Sequence, residues 1–175
     1  MNTLKDLNMM RLEKFKFGEY DERYARRAMR KLLPGDNETW NYYKNGRINK
    51  RLSKVLYYGT KPIGIYILGT CTNLERFLLE NEDVKLQRSI RKYRDRKGIH
   101  GIGLWIEPEY RSYGFGQLLI EYAQSHGDYV FGGHTVELNN IKHWLKRRDL
   151  IAKYYEVDNG RKRLSAYWTA SEIKR

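Results

Sequence analysis

The chain has one cysteine, Cys71, and three prolines in 175 residues. A lone thiol excludes an internal disulfide and a zinc centre built on paired cysteines. There is no internal repeat and no low-complexity tract. No apolar run approaches the roughly 18 residues that a membrane span needs. The first ten residues, Met1 to Met10, hold no apolar leader core, so a cytoplasmic location is expected rather than secretion. Acidic residues are also in short supply: 21 Asp and Glu face 34 Lys and Arg, a formal net charge of +13. What is present is apolar material, at 41% hydrophobic and 14% aromatic, which separates the chain from a disordered polybasic tail. The length suits one domain, 1–175. The charge points to an anionic partner or substrate, but it bears on association rather than fold.

Hydrophobic periodicity gives the element order. Residues 9–17 read as a first strand. Tyr20, Tyr24, Ala28, Met29 and Leu32 fall at helical spacing over 19–33, and Pro34-Gly35 stops that helix. Asp36 or Asn37 can cap a second helix that runs through Trp40 and Tyr43 toward Leu52, although Gly46 weakens it. Strands at 54–58 and 62–70 flank a turn at Gly59-Thr60-Lys61. A charged helical insert at about 72–97 starts acidic and ends basic, with Leu86, Ile90 and Tyr93 as its apolar stripe. A strand at 99–106, a helix at 114–125, a strand at 129–136 and a helix near 139–148 follow. The C-terminal part is a hairpin of 150–157 and 163–169, turned by Asp158-Asn159-Gly160.

The stretch from Leu104 to Leu119 carries the chemistry. A strand runs into a short turn, then into a helix whose first turn holds Gly114 and Gly116. Glycines there let a ligand approach the backbone. The open N–H groups of a helix N-terminus suit a pyrophosphate, and Arg111 can add a charge. The same pattern also serves an ordinary tight strand-to-helix turn. Its spacing matches neither a P-loop nor a dinucleotide turn.

Glu107-Pro-Glu-Tyr-Arg-Ser-Tyr-Gly-Phe-Gly-Gln-Leu-Leu119 resembles the acyl-CoA-binding motif of the GNAT superfamily of N-acyltransferases. That motif reads Gln/Arg-x-x-Gly-x-Gly/Ala after a strand ending apolar-x-apolar-x-Pro. Leu104, Ile106, Pro108, Arg111, Gly114 and Gly116 occupy its places. Gly64 resembles the glycine that opens the family's third strand, and the element order is similar throughout. The resemblance implies an α/β (α+β) fold with a mixed, mostly antiparallel central sheet of six to seven strands and four to five flanking helices. It implies acetyl-CoA as cosubstrate, lying where the strands at 99–106 and 129–136 splay apart. Its pantetheine arm would pair with backbone near Leu104, Trp105 and Ile106, with Asn139 or Asn140 assisting. Its pyrophosphate would rest on Arg111, Ser112, Tyr113, Gly114, Phe115 and Gly116.

Acyl transfer to an amine needs a base to remove a proton, worth about 10²–10⁴-fold in rate. His100, eleven residues before Arg111, resembles the position of the family's glutamate base. His134 on the facing strand is the second candidate, and His143 fits a surface helix. A packing role remains open for each. The acid is harder to place. The family's downstream tyrosine position falls on Leu145, beside Trp144, leaving Tyr154 and Tyr155 as substitutes or simply core aromatics.

Three basic groups stand apart from the motif: 85–97, Lys142-Lys146-Arg147-Arg148 and Arg161-Lys162-Arg163. Tyr93, Trp144, Tyr154, Tyr155, Tyr167 and Trp168 interleave with them, as in surfaces that hold nucleic acid. A solvated charged face has the same pattern. Three readings stay open: an acetyltransferase of small-molecule or protein amines, a related enzyme acting on nucleic acid, and a non-catalytic binding module. A homodimer is compatible with each, and no membrane partner is expected.

Overall fold

A computed structural model describes residues 14–73, 76, 95–137, 150–157 and 161–168, with side chains through residue 132. These form β1 (Phe15–Gly18), α1 (Glu22–Leu32), α2 (Asn37–Lys44), β2 (Lys54–Tyr58), β3 (Lys61–Leu68), β4 (Gly98–Ile106), a 3₁₀ turn (Pro108–Tyr110) and α3 (Phe115–Gln124). Then come β5 (Tyr129–Phe131), β6 (Gly133–Glu137), β7 (Leu150–Val157) and β8 (Arg161–Trp168). A five-stranded sheet has the order β1-β2-β3-β4-β5, and a three-stranded sheet the order β6-β8-β7. The fold is mixed α/β, as expected.

The chain divides into two compact units. One holds β1 to β3, α1, α2, the part of β4 from Ile102 on, the 3₁₀ turn and α3 up to Ala123. The other holds Gly98–Gly101 of β4 and β5 to β8.

In the first unit β1, β2 and β3 are antiparallel neighbours. The Asp21 carboxylate caps α1 by accepting from the Tyr24 N–H at 2.9 Å. Glu22 in the first turn and Arg30 and Lys31 in the last complement the helix dipole. Tyr24, Ala25, Ala28 and Met29 bury one face against Val55, Ile65, Ile67 and Ile102. Burial of the Met, Val and Ile side chains stabilises by about 1.5–3 kcal/mol each, and of the two alanines by less.

Two expected boundaries move. The first strand begins at Phe15, and the earlier residues of that reading lie outside the described residues. The second helix ends at Lys44 rather than near Leu52. Gly46 takes the left-handed conformation (φ 78°), and Ile48 then bridges Gly69 instead of continuing a helix.

Beyond Gly101, β4 departs from strict alternation. Ile102 belongs to the core under α1, and a Cβ on the next residue, Gly103, would lie 2.8 Å from the Met29 sulfur. Ile102 and Gly103 thus both turn toward α1. Alternation then resumes: Leu104 approaches Gly116 of α3, Trp105 packs toward the α1 core, and Ile106 crowds Gly64 beside Leu119. Glu107 returns to the α1 face.

In the second unit β4 pairs parallel with β5 over three positions, ending at His100 and Phe131. The expected strand at 129–136 is two strands. A Cβ at Gly132 would stand 2.3 Å from the Gly101 carbonyl oxygen, so only glycine fits where the chain turns from β5 into β6. β6 then pairs with β8, which also pairs with β7. Of the expected insert at about 72–97, residues 74, 75 and 77–94 lie outside the described residues, as does the expected helix at 139–148.

Candidate active site

The end of β4 feeds a turn with an unusual backbone. Pro108–Tyr110 makes one 3₁₀ turn, closed by the Arg111 N–H on the Pro108 carbonyl. Ser112 follows at φ 68° and Gly114 at φ 84°. Ser112 has the only positive φ of a non-glycine residue among the described residues. Side chains reach that conformation at a cost of about 1–2 kcal/mol, and such strain gathers at functional sites. At Gly114 a Cβ would meet no atom within 4 Å, so the glycine leaves open space over the turn.

Phe115 opens α3, whose first turn has no acidic side chain. A helix start leaves its first N–H groups without intrahelical acceptors and carries a partial positive charge, a combination that attracts anions. Phe115 itself is buried against Phe15, ring centroids 4.6 Å apart. Tyr113 lies 6.1 Å from the Phe115 ring.

Arg111 turns back over the strand. Its Nε donates to the Ile106 carbonyl at 3.0 Å, and its guanidinium stands 4.7 Å from the Trp105 ring centre. Lys31 stands 5.2 Å from the same ring. Trp105 therefore has two cations in contact with its π-system.

An ionic cluster around one buried carboxylate lies next to this ring. The Glu107 carboxylate is 9% exposed. Its Oε1 accepts from Arg27 Nη2 at 2.8 Å and from the Tyr24 hydroxyl at 3.2 Å. Its Oε2 accepts from Lys31 Nζ at 3.3 Å. Burial pushes the carboxyl pKa up, but hydrogen bonds from Lys31 and Tyr24 and the Lys31 charge outweigh it, so the pKa lies below normal. The Tyr24 pKa is raised, first by burial and then by the Glu107 charge. The carboxylate is ionised and the phenol neutral. Sequence inspection missed Glu107, because its partners stand 76 to 83 residues away. The available signal was the stripe Tyr24, Arg27, Lys31 on one face of α1, together with an acid directly before Pro108.

His100 lies on β4 in the second unit, 4% exposed, its ring stacked on Phe131 with centroids 5.2 Å apart and 8° between planes. Desolvation lowers its pKa to about 3, so the imidazole is neutral at physiological pH. His134 stands on β6 opposite Ala166. Tyr154 and Tyr155 stand on β7 opposite Leu164 and Arg163. Asn139, Asn140, His143, Trp144 and Leu145 lie outside the described residues, as do the first two basic groups except Asp95, Arg96 and Lys97. Arg161, Lys162 and Arg163 are on β8.

The chain is similar in structure to Arabidopsis thaliana NAA60 in complex with a bisubstrate analogue (TM-score 0.59, 15% identity, 89% of this chain and 96% of that one). NAA60 has also been solved with acetyl-CoA. The ribosomal-protein-S18-alanine N-acetyltransferase from Escherichia coli aligns with TM-score 0.51 and 12% identity, over 87% of this chain and 91% of its own. The Drosophila melanogaster polyamine N acetyltransferase, which forms N acetylagmatine, aligns with TM-score 0.53 and 12% identity, over 89% and 98%. No family model matches the sequence, and no curated protein matches it by sequence. The chain has the fold of the GNAT superfamily of N-acyltransferases.

Proposed function

We propose that the chain is an N-acetyltransferase that moves an acetyl group from acetyl-CoA to a primary amine by direct attack in a ternary complex. The turn at Arg111–Gly116 carries the reading. It combines a strained Ser112, open space at Gly114 and an acid-free helix start on a fold shared with acetyl-CoA-dependent enzymes. Those features suit a pyrophosphate: backbone N–H groups can approach it closely, and no carboxylate in the first turn repels it.

Bound acetyl-CoA would supply the activated acyl group as a thioester. Ser112 to Gly116 and Arg111 would hold its phosphates, and backbone at Leu104, Trp105 and Ile106 would align its arm. Asn139 and Asn140 remain candidates for the same arm. Arg111 Nε already donates to the Ile106 carbonyl, which holds the guanidinium at the start of the turn, where its charge would add to the phosphate site.

His100 is the candidate proton acceptor, with His134 second. The His100 imidazole is neutral at physiological pH, but burial lowers its pKa to about 3, which makes it a weak proton acceptor. A proton it takes up would leave to bulk water, and the amine's own ionisation then governs the pH dependence. No general acid is assigned.

The test is release of free CoA thiol with purified protein, acetyl-CoA and a panel of primary amines. Amine-dependent release is expected, with His100→Gln lowering kcat while the KM for acetyl-CoA stays near wild type. Thiol release that never depends on an amine would overturn the reading. Binding of acetyl-CoA without turnover would favour the non-catalytic module.

A further inference from the structure

The outer face of α1 is a ridge of positive charge. Arg23, Arg26, Arg27, Arg30 and Lys31 recur along it at helical spacing, and all five are exposed. Tyr24, Ala25, Ala28 and Met29, which interrupt them in sequence, are buried in the core. The ridge is therefore no run in the sequence, and it stands apart from the three basic groups read there. Glu22 is the only acid of this helix, and it pairs with Lys50 at 3.1 Å. Glu107 holds Arg27 and Lys31 but offsets one charge of the ridge. Arg23, Arg26 and Arg30 pair with no carboxylate among the described residues.

The fold does not account for these arginines. The apolar face of α1 packs without them. Arg23 sits in the first turn, at the positive end of the helix dipole, where a cation is unfavourable. Residues three and four apart on a helix are neighbours, so Arg26 repels Arg23 and Arg30, and Arg27 repels Arg23, Arg30 and Lys31. A ridge assembled against its own repulsion suits an anion from outside the chain. Its makeup describes that anion. All but Lys31 are arginines, whose planar fork matches phosphate oxygens. A helix that lies on a membrane needs apolar side chains for the lipid, and α1 buries its own in the core. From Arg23 to Lys31 the ridge runs about 12 Å. A duplex carries one charge per about 1.7 Å of its axis, so a ridge of that length meets several phosphates.

We infer that this ridge docks on the sugar-phosphate backbone of a nucleic acid duplex, with Arg23, Arg26 and Arg30 as its phosphate contacts. Arg27 and Lys31, held by Glu107, border those contacts. Phosphate contacts position a protein on a duplex and carry no base information. The docking is thus indifferent to base sequence, and salt weakens it. It goes beyond acetyl transfer and needs no bound acetyl-CoA.

The experiment measures binding of the full chain, without acetyl-CoA, to fluorescent DNA and RNA duplexes of about 20 base pairs, at salt from about 50 to 200 mM. Arg23→Gln/Arg26→Gln/Arg30→Gln should weaken binding at least tenfold and flatten the slope of log affinity against log salt by about 2–3. Lys14→Gln/Lys16→Gln/Lys44→Gln removes the same charge at exposed positions off α1, and should weaken binding by less than about threefold. A preference between the two duplexes identifies the source of the phosphates and supports the same docking. Since the three arginines serve no packing, their variant should melt within about 3 °C of wild type. If it melts earlier, Arg26→Gln alone should still flatten the salt slope by about 1. No duplex binding in wild type overturns the inference. So does equal weakening in the two triple variants, or a slope that Arg26→Gln leaves unchanged. Tighter binding to phosphatidylserine vesicles or to polyglutamate than to either duplex also overturns it. Each of these outcomes leaves the acetyltransferase reading standing, and failure to bind acetyl-CoA leaves this inference standing.

Discussion

Arg27 reaches Glu107 across 80 residues of sequence, its Nη2 donating to Oε1 at 2.8 Å. This bond and the Lys31 contact fasten the middle and end of α1 to the residue that directly follows β4. α1 and the strand before the glycine turn are thereby fixed to each other by charge as well as by apolar packing.

Loss of that anchor should register as stability. Glu107→Ala removes a buried acceptor from three donors, two of which remain partly solvated. A loss of about 1–3 kcal/mol is expected, read from urea denaturation at pH 7. The Glu107 pKa is lower in the folded chain than its ordinary value. Its stabilisation is therefore present above the ordinary carboxylate range and is lost as pH falls through the folded value. Wild type should lose stability there more steeply than Glu107→Gln.

His100 contributes with the same direction for a different reason. Folding lowers its pKa from 6.5 to about 3, so the unfolded chain binds the proton first on acidification. Stability is unaffected above pH 6.5 and declines as pH falls from there toward 3. Between pH 7 and pH 4.5 the loss should be of order 2 kcal/mol, and His100→Gln should remove that slope. An unchanged slope in the variant would show that the imidazole is not buried in its neutral form.

Catalysis should show a different pH dependence. With His100 neutral throughout, the rate should carry no inflection near 6.5 from an enzyme imidazole. It should rise with the free-base fraction of the acceptor, near pH 8 for an α-amine. A rate profile on two acceptors of different amine pKa checks this, because the inflection should move with the acceptor.

Glycine positions give the sharpest packing expectations. A Cβ at Gly132 would meet the Gly101 carbonyl oxygen at 2.3 Å, where backbone cannot step aside. A Cβ at Gly64 would meet the end of the Ile106 side chain at 2.5 Å and the Trp105 oxygen at 3.1 Å. Gly64→Ala should cost about 1–3 kcal/mol, as overpacking does, and Gly132→Ala more, measured by denaturant midpoints.

How much of this was legible in the sequence depends on the range of the interaction. α1 was legible because its cap, dipole charges and apolar stripe are all local: Asp21, Glu22, Tyr24, Ala28 and Met29. The glycine turn was legible because its spacing is local too. The end of α2 was not, since Tyr43 and Lys44 continue a helical pattern and only the left-handed Gly46 breaks it. The division at Gly132 hides inside an apolar run from Tyr129 to Val136, and its cause is a carbonyl on another strand. Glu107 was invisible for the same reason: nothing near it in sequence reveals three donors from α1.

Titration calorimetry of the purified chain with acetyl-CoA tests the central claim most directly. Saturable binding is expected in wild type, greatly weakened in Gly114→Val, where a branched side chain meets a left-handed backbone and fills the open space proposed for the phosphates. No heat of binding in wild type at millimolar acetyl-CoA would contradict the account.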